Sequence, residues 1–150
     1  MDKYEKAEGV INQDVIDFQP SKKYDLMVSI STLEHVGWDE KPRDPMKVLY
    51  AIKNLKELLA PRGKIVVTLP MGYNPVLDKF LRKGEIRFTK RFCLKRISKH
   101  NEWKEVDWNV IRNAKYGEGL VIGIIEGKNE LDNKNRETGE NKHKDGPHIP

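Results

Sequence analysis

Large apolar residues fall into a few short runs, and each run is bounded by polar, glycine or proline residues. Leu26-Met27-Val28-Ser29-Ile30 follows a polar Tyr24-Asp25 edge and reads as a strand buried on both faces of a parallel sheet. Val48, Ile52, Leu55 and Leu59 recur at helical spacing, and Leu49 and Leu58 widen the stripe. Lys47, Lys53, Asn54, Lys56 and Glu57 face away, Asp44 caps the start with Pro45 in the first turn, and Pro61 and Gly63 mark the stop. Ile65–Leu69 is a second buried strand, so strand, helix and strand predict one parallel crossover. Asn74 and Pro75 open a second helix over Val76–Lys83 that Gly84 closes. Gly9–Asn12 reads as a short strand. Trp103–Val110 alternates like a strand with one covered face, and Leu120–Ile125 reads as a central strand. The last two are expected to pair antiparallel across the Ala114–Gly119 turn. From Lys128 to Pro150 only Leu131 and Ile149 are large and apolar, which predicts a disordered polar tail after a single domain spanning 1–127.

Composition changes this picture in three places. Charged residues make up 34% of the 150 and hydrophobic ones 37%, a low apolar share that the tail largely explains. The net charge of +5 permits an anionic partner. Arg87, Lys90, Arg91, Lys95, Arg96 and Lys99, interleaved with Phe88, Phe92 and Leu94, could bind a nucleic-acid backbone and stack bases. The same pattern also suits an amphipathic element with its apolar side on the core. Cys93 is the only cysteine, which excludes an internal disulfide and any zinc site built on cysteines. His143 and His148 sit in the polar tail without fixed geometry, and no metal site is expected. No apolar run reaches membrane-spanning length and no signal peptide opens the chain, so the expectation is a soluble, cytoplasmic protein.

The chemistry-bearing residues stand just after the first apolar run. Ser31-Thr32 ends it, and Leu33-Glu34-His35-Val36-Gly37 delivers two ionisable side chains where ligands of open α/β sheets sit. Tyr73, on the loop after Ile65–Leu69, is expected to face the same cleft.

Tyr24-Asp25, the apolar strand and Leu33-Glu34-His35-Val36 together resemble the fourth-strand motif of class I S-adenosylmethionine-dependent methyltransferases, in the branch acting on small molecules and lipids. Leu59–Pro70, with its Pro61-Arg62-Gly63 turn, resembles that family's next signature, and the resemblance runs from Asp2 to Gly127. It implies an α/β fold, a Rossmann-like methyltransferase sheet that is incomplete at the N-terminus and closed by a C-terminal antiparallel hairpin. It implies S-adenosylmethionine as cofactor and a small-molecule or lipid-linked acceptor. Asp2, with Tyr4 beside it, matches the position that binds the cofactor ribose. Asp14, followed by Val15, matches the acidic position near the adenine, and backbone around Ser31 would meet the methionine moiety. His35 is the candidate base, with Glu34 orienting it or binding substrate. The plain alternatives are that Asp14 caps a turn and that Glu34 and His35 cap a helix. The family's first strand and glycine-rich turn find no match in the chain, which implies a gap in the sheet or an exposed edge at the strand Leu26–Ile30. Three readings stay open: a domain cut short, a degenerate relative without cofactor, or a sheet completed by a partner chain or by self-association. The rival function is a non-enzymatic basic module that binds nucleic acid through Arg87–Lys99.

Overall fold

The computed structural model describes residues 1–128. The polar tail expected beyond Lys128 lies outside the described residues. In chain order the elements are β1 (Tyr24–Ile30), α1 (Lys47–Glu57), β2 (Leu59–Pro70), α2 (Pro75–Lys83), β3 (Lys90–Arg96), β4 (Trp103–Glu105), α3 (Trp108–Ile111) and β5 (Gly119–Glu126). The five strands form one mixed sheet in the order β1-β2-β5-β3-β4. β1 and β2 run parallel and are joined through α1, as the apolar spacing predicts. The three remaining pairings are antiparallel. The architecture is therefore α/β, a short parallel unit extended by an antiparallel C-terminal part.

Register divides the sheet into two unlike faces. Met27 pairs with Ile65, Ile65 with Ile125 and Val121 with Cys93, so these residues share one side. That side carries the core: Ile65, Val67, Leu69 and Val121 pack with Val48, Ile52 and Leu55 of α1 and Leu77, Phe80 and Leu81 of α2. Each such side chain contributes roughly 1.5–3 kcal/mol by leaving water. The other side runs from Leu26, Val28 and Ile30 across Val66 and Thr68 to Ile122, Ile124 and Phe92. It is apolar too, yet Leu26 and Val28 are 58% exposed and Ile30 69%.

β1 thus departs from the expected strand buried on both faces. It stands at the sheet edge, and among the described residues only β2 pairs with it. Its helix-facing residues, Met27 and Ser29, are half-buried while their neighbours meet solvent. Periodicity could not show this, because a run apolar at every position looks alike with one face covered or two.

Four further expectations are corrected. Gly9–Asn12 is no strand but part of a looped segment, tied by the Asp2 N–H to the Ile11 carbonyl at 3.2 Å and by Asn12 Nδ2 to the Asp2 carbonyl at 2.9 Å. The Trp103–Val110 alternation breaks after Glu105, where Asp107 precedes the short helix α3 and Trp108 turns under the Arg91 guanidinium. Next to β5 in the sheet comes β3, which stands between β5 and β4, so the basic segment supplies the strand that the hairpin was expected to draw from Trp103–Val110. α1 runs from Lys47 to Glu57 rather than from Pro45 past Leu59, so Leu59 and the expected stop at Pro61 and Gly63 belong to β2, although Asp44 still accepts the Met46 N–H at 3.0 Å. α2 follows the expectation closely: Asn74 Oδ1 accepts the N–H groups of Val76 and Leu77, Pro75 opens the helix and Gly84 closes it left-handed.

Candidate functional site

Because β1 and β2 are parallel, the segments leaving both strands emerge at one edge of the sheet. Residues after β1 coil at once: the N–H groups of His35, Val36 and Asp39 reach back to the carbonyls of Thr32, Leu33 and His35. Leu33 plugs the core, which fixes Glu34 and His35 beside it. Ser31 takes a left-handed φ of 45°, held by its N–H to the carbonyl and hydroxyl of Thr68. Gly37 is required where the coil turns away: its φ is 71°, and a Cβ there would lie 2.0 Å from the Asp44 carbonyl.

His35 is the hub. Its Nδ1 lies 2.5 Å from Asp39 Oδ2, which also accepts the Tyr73 hydroxyl at 2.6 Å. Its Nε2 faces Glu34 Oε1 at 3.6 Å. The ring packs edge-on to Tyr73, centroids 4.6 Å apart, and Tyr73 packs against Tyr116 at 5.3 Å. The Tyr73 and His35 contacts hold the Asp39 carboxyl below its ordinary range, and the Asp39 oxygen pushes the Tyr73 phenol up to about 12. Glu34 is 1% exposed, and burial pushes its carboxyl up. Its Oε2 has no hydrogen-bond partner.

Two cavities flank this hub. One, of about 430 Å³, is lined by Asp2, Tyr4, Asp14, Val15, Thr32 and His35, among others. The structure therefore brings together four of the residues expected at a cofactor. Asp2 Oδ1 is engaged by the N–H groups of Tyr4 and Glu5, which holds the carboxyl below its ordinary range. Asp14 is held by Lys3 at 2.7 Å and Lys47 at 2.5 Å, and Glu40 shares both lysines. Burial pushes the Asp14 carboxyl up, but the two ammoniums outweigh that and hold it at about 2. The other cavity, about 510 Å³, is lined by Ser31 and Glu34 together with Trp103, Tyr116 and Leu120. Ser31 thus stands apart from the other expected cofactor residues. His35 is the one side chain lining both cavities.

Asp39, Glu40 and Lys3 went unread in the sequence as site residues, and Lys47, expected on the outward face of its helix, is instead buried, 8% exposed and paired with Asp14 and Glu40. Asp39 alone carried a signal, its i+4 spacing from His35 on a coiling segment. The lysines lie far from Asp14 in sequence or beyond a loop, and only the fold joins them.

The basic segment is divided rather than displayed as one surface. Phe88 lies against Gly123, where a Cβ would come within 2.3 Å of its ring. Arg91 stacks on Trp108, while Arg87 and Arg96 donate to nearby backbone carbonyls. Among the described residues no cluster of His, Cys, Asp and Glu is placed to hold a metal ion, and no helix is long and apolar enough to cross a membrane.

No family model matches the sequence, and no curated protein matches it. Among solved structures the chain is similar to the N-methyltransferase NodS from Bradyrhizobium japonicum WM9 in complex with S-adenosyl-L-homocysteine, at 15% identity and a TM-score of 0.47, over 78% of this chain and 53% of that one. A second crystal structure of NodS gives 15% identity and a TM-score of 0.48, over 79% and 58%. The chain spans little more than half the length of these structures.

Proposed function

We propose that this chain carries the acceptor side and part of the cofactor side of an S-adenosylmethionine-dependent methyltransferase acting on a small-molecule or lipid-linked acceptor. The observation that carries the reading is the meeting of two cavities at His35, at the edge where parallel strands β1 and β2 end. A transferase of this kind needs two ligands within reach of one another and little else, because positioning supplies most of the catalysis.

The residues around the first cavity fit the nucleoside end of such a cofactor. Its volume lies in the ordinary range for small-molecule sites, roughly 300–1,000 Å³. Asp2 offers an exposed carboxylate for ribose hydroxyls, Tyr4 an exposed ring and Val15 an apolar wall. Asp14 acts here through the ion-paired cluster that shapes the cavity floor, since its carboxylate is already shared by Lys3 and Lys47. When bound, S-adenosylmethionine supplies an electrophilic methyl group on a sulfonium. With Nδ1–H donated to Asp39, His35 presents the lone pair of Nε2, which accepts the proton of an acceptor hydroxyl or ammonium. Asp39, steadied by Tyr73, keeps the ring in that orientation.

Among the described residues β1 has a strand on one side alone, and on this reading its open edge takes a strand from a partner chain or a second copy. Calorimetric titration of the 150-residue chain with S-adenosylmethionine tests the proposal. Micromolar binding, lost in Asp2→Ala, is expected. No heat from a folded sample would remove the cofactor assignment.

A further inference from the structure

The second cavity carries more information than its place beside His35. Among its lining residues is Glu34, 1% exposed, whose Oε2 meets no hydrogen-bond partner. A buried carboxyl oxygen is normally satisfied, and one that is not calls for a donor or a cation. Trp103 and Tyr116 also line the cavity, and the Tyr73 ring packs against Tyr116 with centroids 5.3 Å apart. Asp39 adds a second negative charge behind the His35 ring.

The sequence holds 28 Lys and Arg, yet none is among the described residues lining this cavity. An anionic ligand would find no lysine or arginine among those lining residues and would face Glu34, with His35 already set between Glu34 and Asp39. Aromatic rings around a carboxylate form the arrangement that binds ammonium groups, since the ring faces and the carboxylate all attract positive charge.

We propose that this cavity binds a positively charged amine or ammonium group, with Glu34 as its counter-ion and Trp103 and Tyr116 as its aromatic walls. The assignment rests on the methyltransferase reading only in making that cation part of the acceptor. The cavity's preference for positive charge stands on its own geometry.

Choline is the probe, because its charge does not change with pH, and 3,3-dimethylbutan-1-ol is its neutral isostere. The readout is the indole N–H resonance of Trp103 in the full chain, titrated without S-adenosylmethionine. Choline is expected to move that resonance with an affinity about tenfold or more above the alcohol. Glu34→Gln is expected to weaken choline about tenfold. Tyr116→Leu, at a residue 63% exposed, should weaken it too and serves if the Glu34 variant does not fold. Equal binding of choline and the alcohol, no response to either, or unchanged binding in both variants would overturn the proposal. Displacement of choline by S-adenosylmethionine in direct competition would also overturn it, by giving the cavity to the cofactor's sulfonium. If S-adenosylmethionine does not bind at all while choline does, the cofactor reading falls and the cation site stands.

Discussion

A lysine ammonium with only 10% of its side chain exposed is tolerable only among carboxylates, and Lys47 has two. Burial pushes its ammonium down, and Asp14 and Glu40 outweigh that and raise it. Lys47→Met would leave the two carboxylates facing Lys3 alone. We expect a loss of about 2 kcal/mol, below the full cost of breaking a deeply buried pair because both acids keep some solvent, measured by urea unfolding. The pH dependence has a definite sign. The Asp14 carboxyl is held below its ordinary 3.8, at about 2, so its contribution is complete above 3.8 and is lost as pH falls through about 2. Glu34 behaves in the opposite way. Burial raises its folded value above 4.5, so the folded state holds the proton longer and stability falls as pH rises from 4.5 through that value. Glu34→Gln should therefore gain about 1 kcal/mol at neutral pH, and the gain should vanish in acid. Thermal melts at pH 4 and pH 7 check it. Glu34 and His35 could be found in the sequence because they follow an apolar run directly. The pairing of Lys47 with Asp14 could not, since residues 33 positions apart meet only after α1 docks.

At the scale of elements, α2 shows how a local signal reaches the site. Asn74 caps the helix with its oxygen and gives its Nδ2 hydrogen to the Glu34 carbonyl at 3.0 Å, so one side chain fastens α2 to the segment after β1. Asn74→Ala should cost about 1–2 kcal/mol in a thermal or urea melt. Asn74→Ser should recover the cap and leave choline binding weaker than in the parent chain, because the tie to Glu34 is gone. One element with punctuation of its own was legible, α2 between Asn74-Pro75 and Gly84, whereas β2 was legible only from Ile65 on, because it opens at Leu59 and runs through Pro61 and Gly63. β3 was not, because Lys90–Arg96 carries charge on most positions and only Cys93 faces the core. Its strand character comes from β5, which offers ladder partners from Gly119 to Ile124. Trp103–Val110 misled in the opposite sense, its alternation continuing past a chain turn at Asp107 that no glycine or proline announces.

For the molecule as a whole, the decisive feature is the unequal cover on the sheet. α1 and α2 pack on one face, and the other leaves Leu26, Val28, Ile30 and Phe92 in solvent. A groove of about 330 Å³ follows the free edge of β1, bordered by Met1, Ile11 and Val15. An apolar surface of this kind binds other surfaces. Sedimentation should show concentration-dependent association of the chain, and Val28→Lys should abolish most of it while leaving the circular dichroism spectrum unchanged. A monodisperse monomer at every concentration would count against this. The overall class could be read from the order of apolar runs, and the exposed edge at β1 from the family strand that finds no match beside it, whereas the neighbours of β5 could not, since strand order is a relation between strands.

That open edge has a consequence in time as well as in space. Among the described residues the outer backbone groups of β1 have no ladder partner, which in a folding chain leaves them open to other apolar strands. Whether the chain accumulates as a discrete particle or as an aggregate is then decided by a race. Dilution, slow synthesis and the early presence of a complementary strand favour the first outcome; crowding with unfinished copies of itself favours the second.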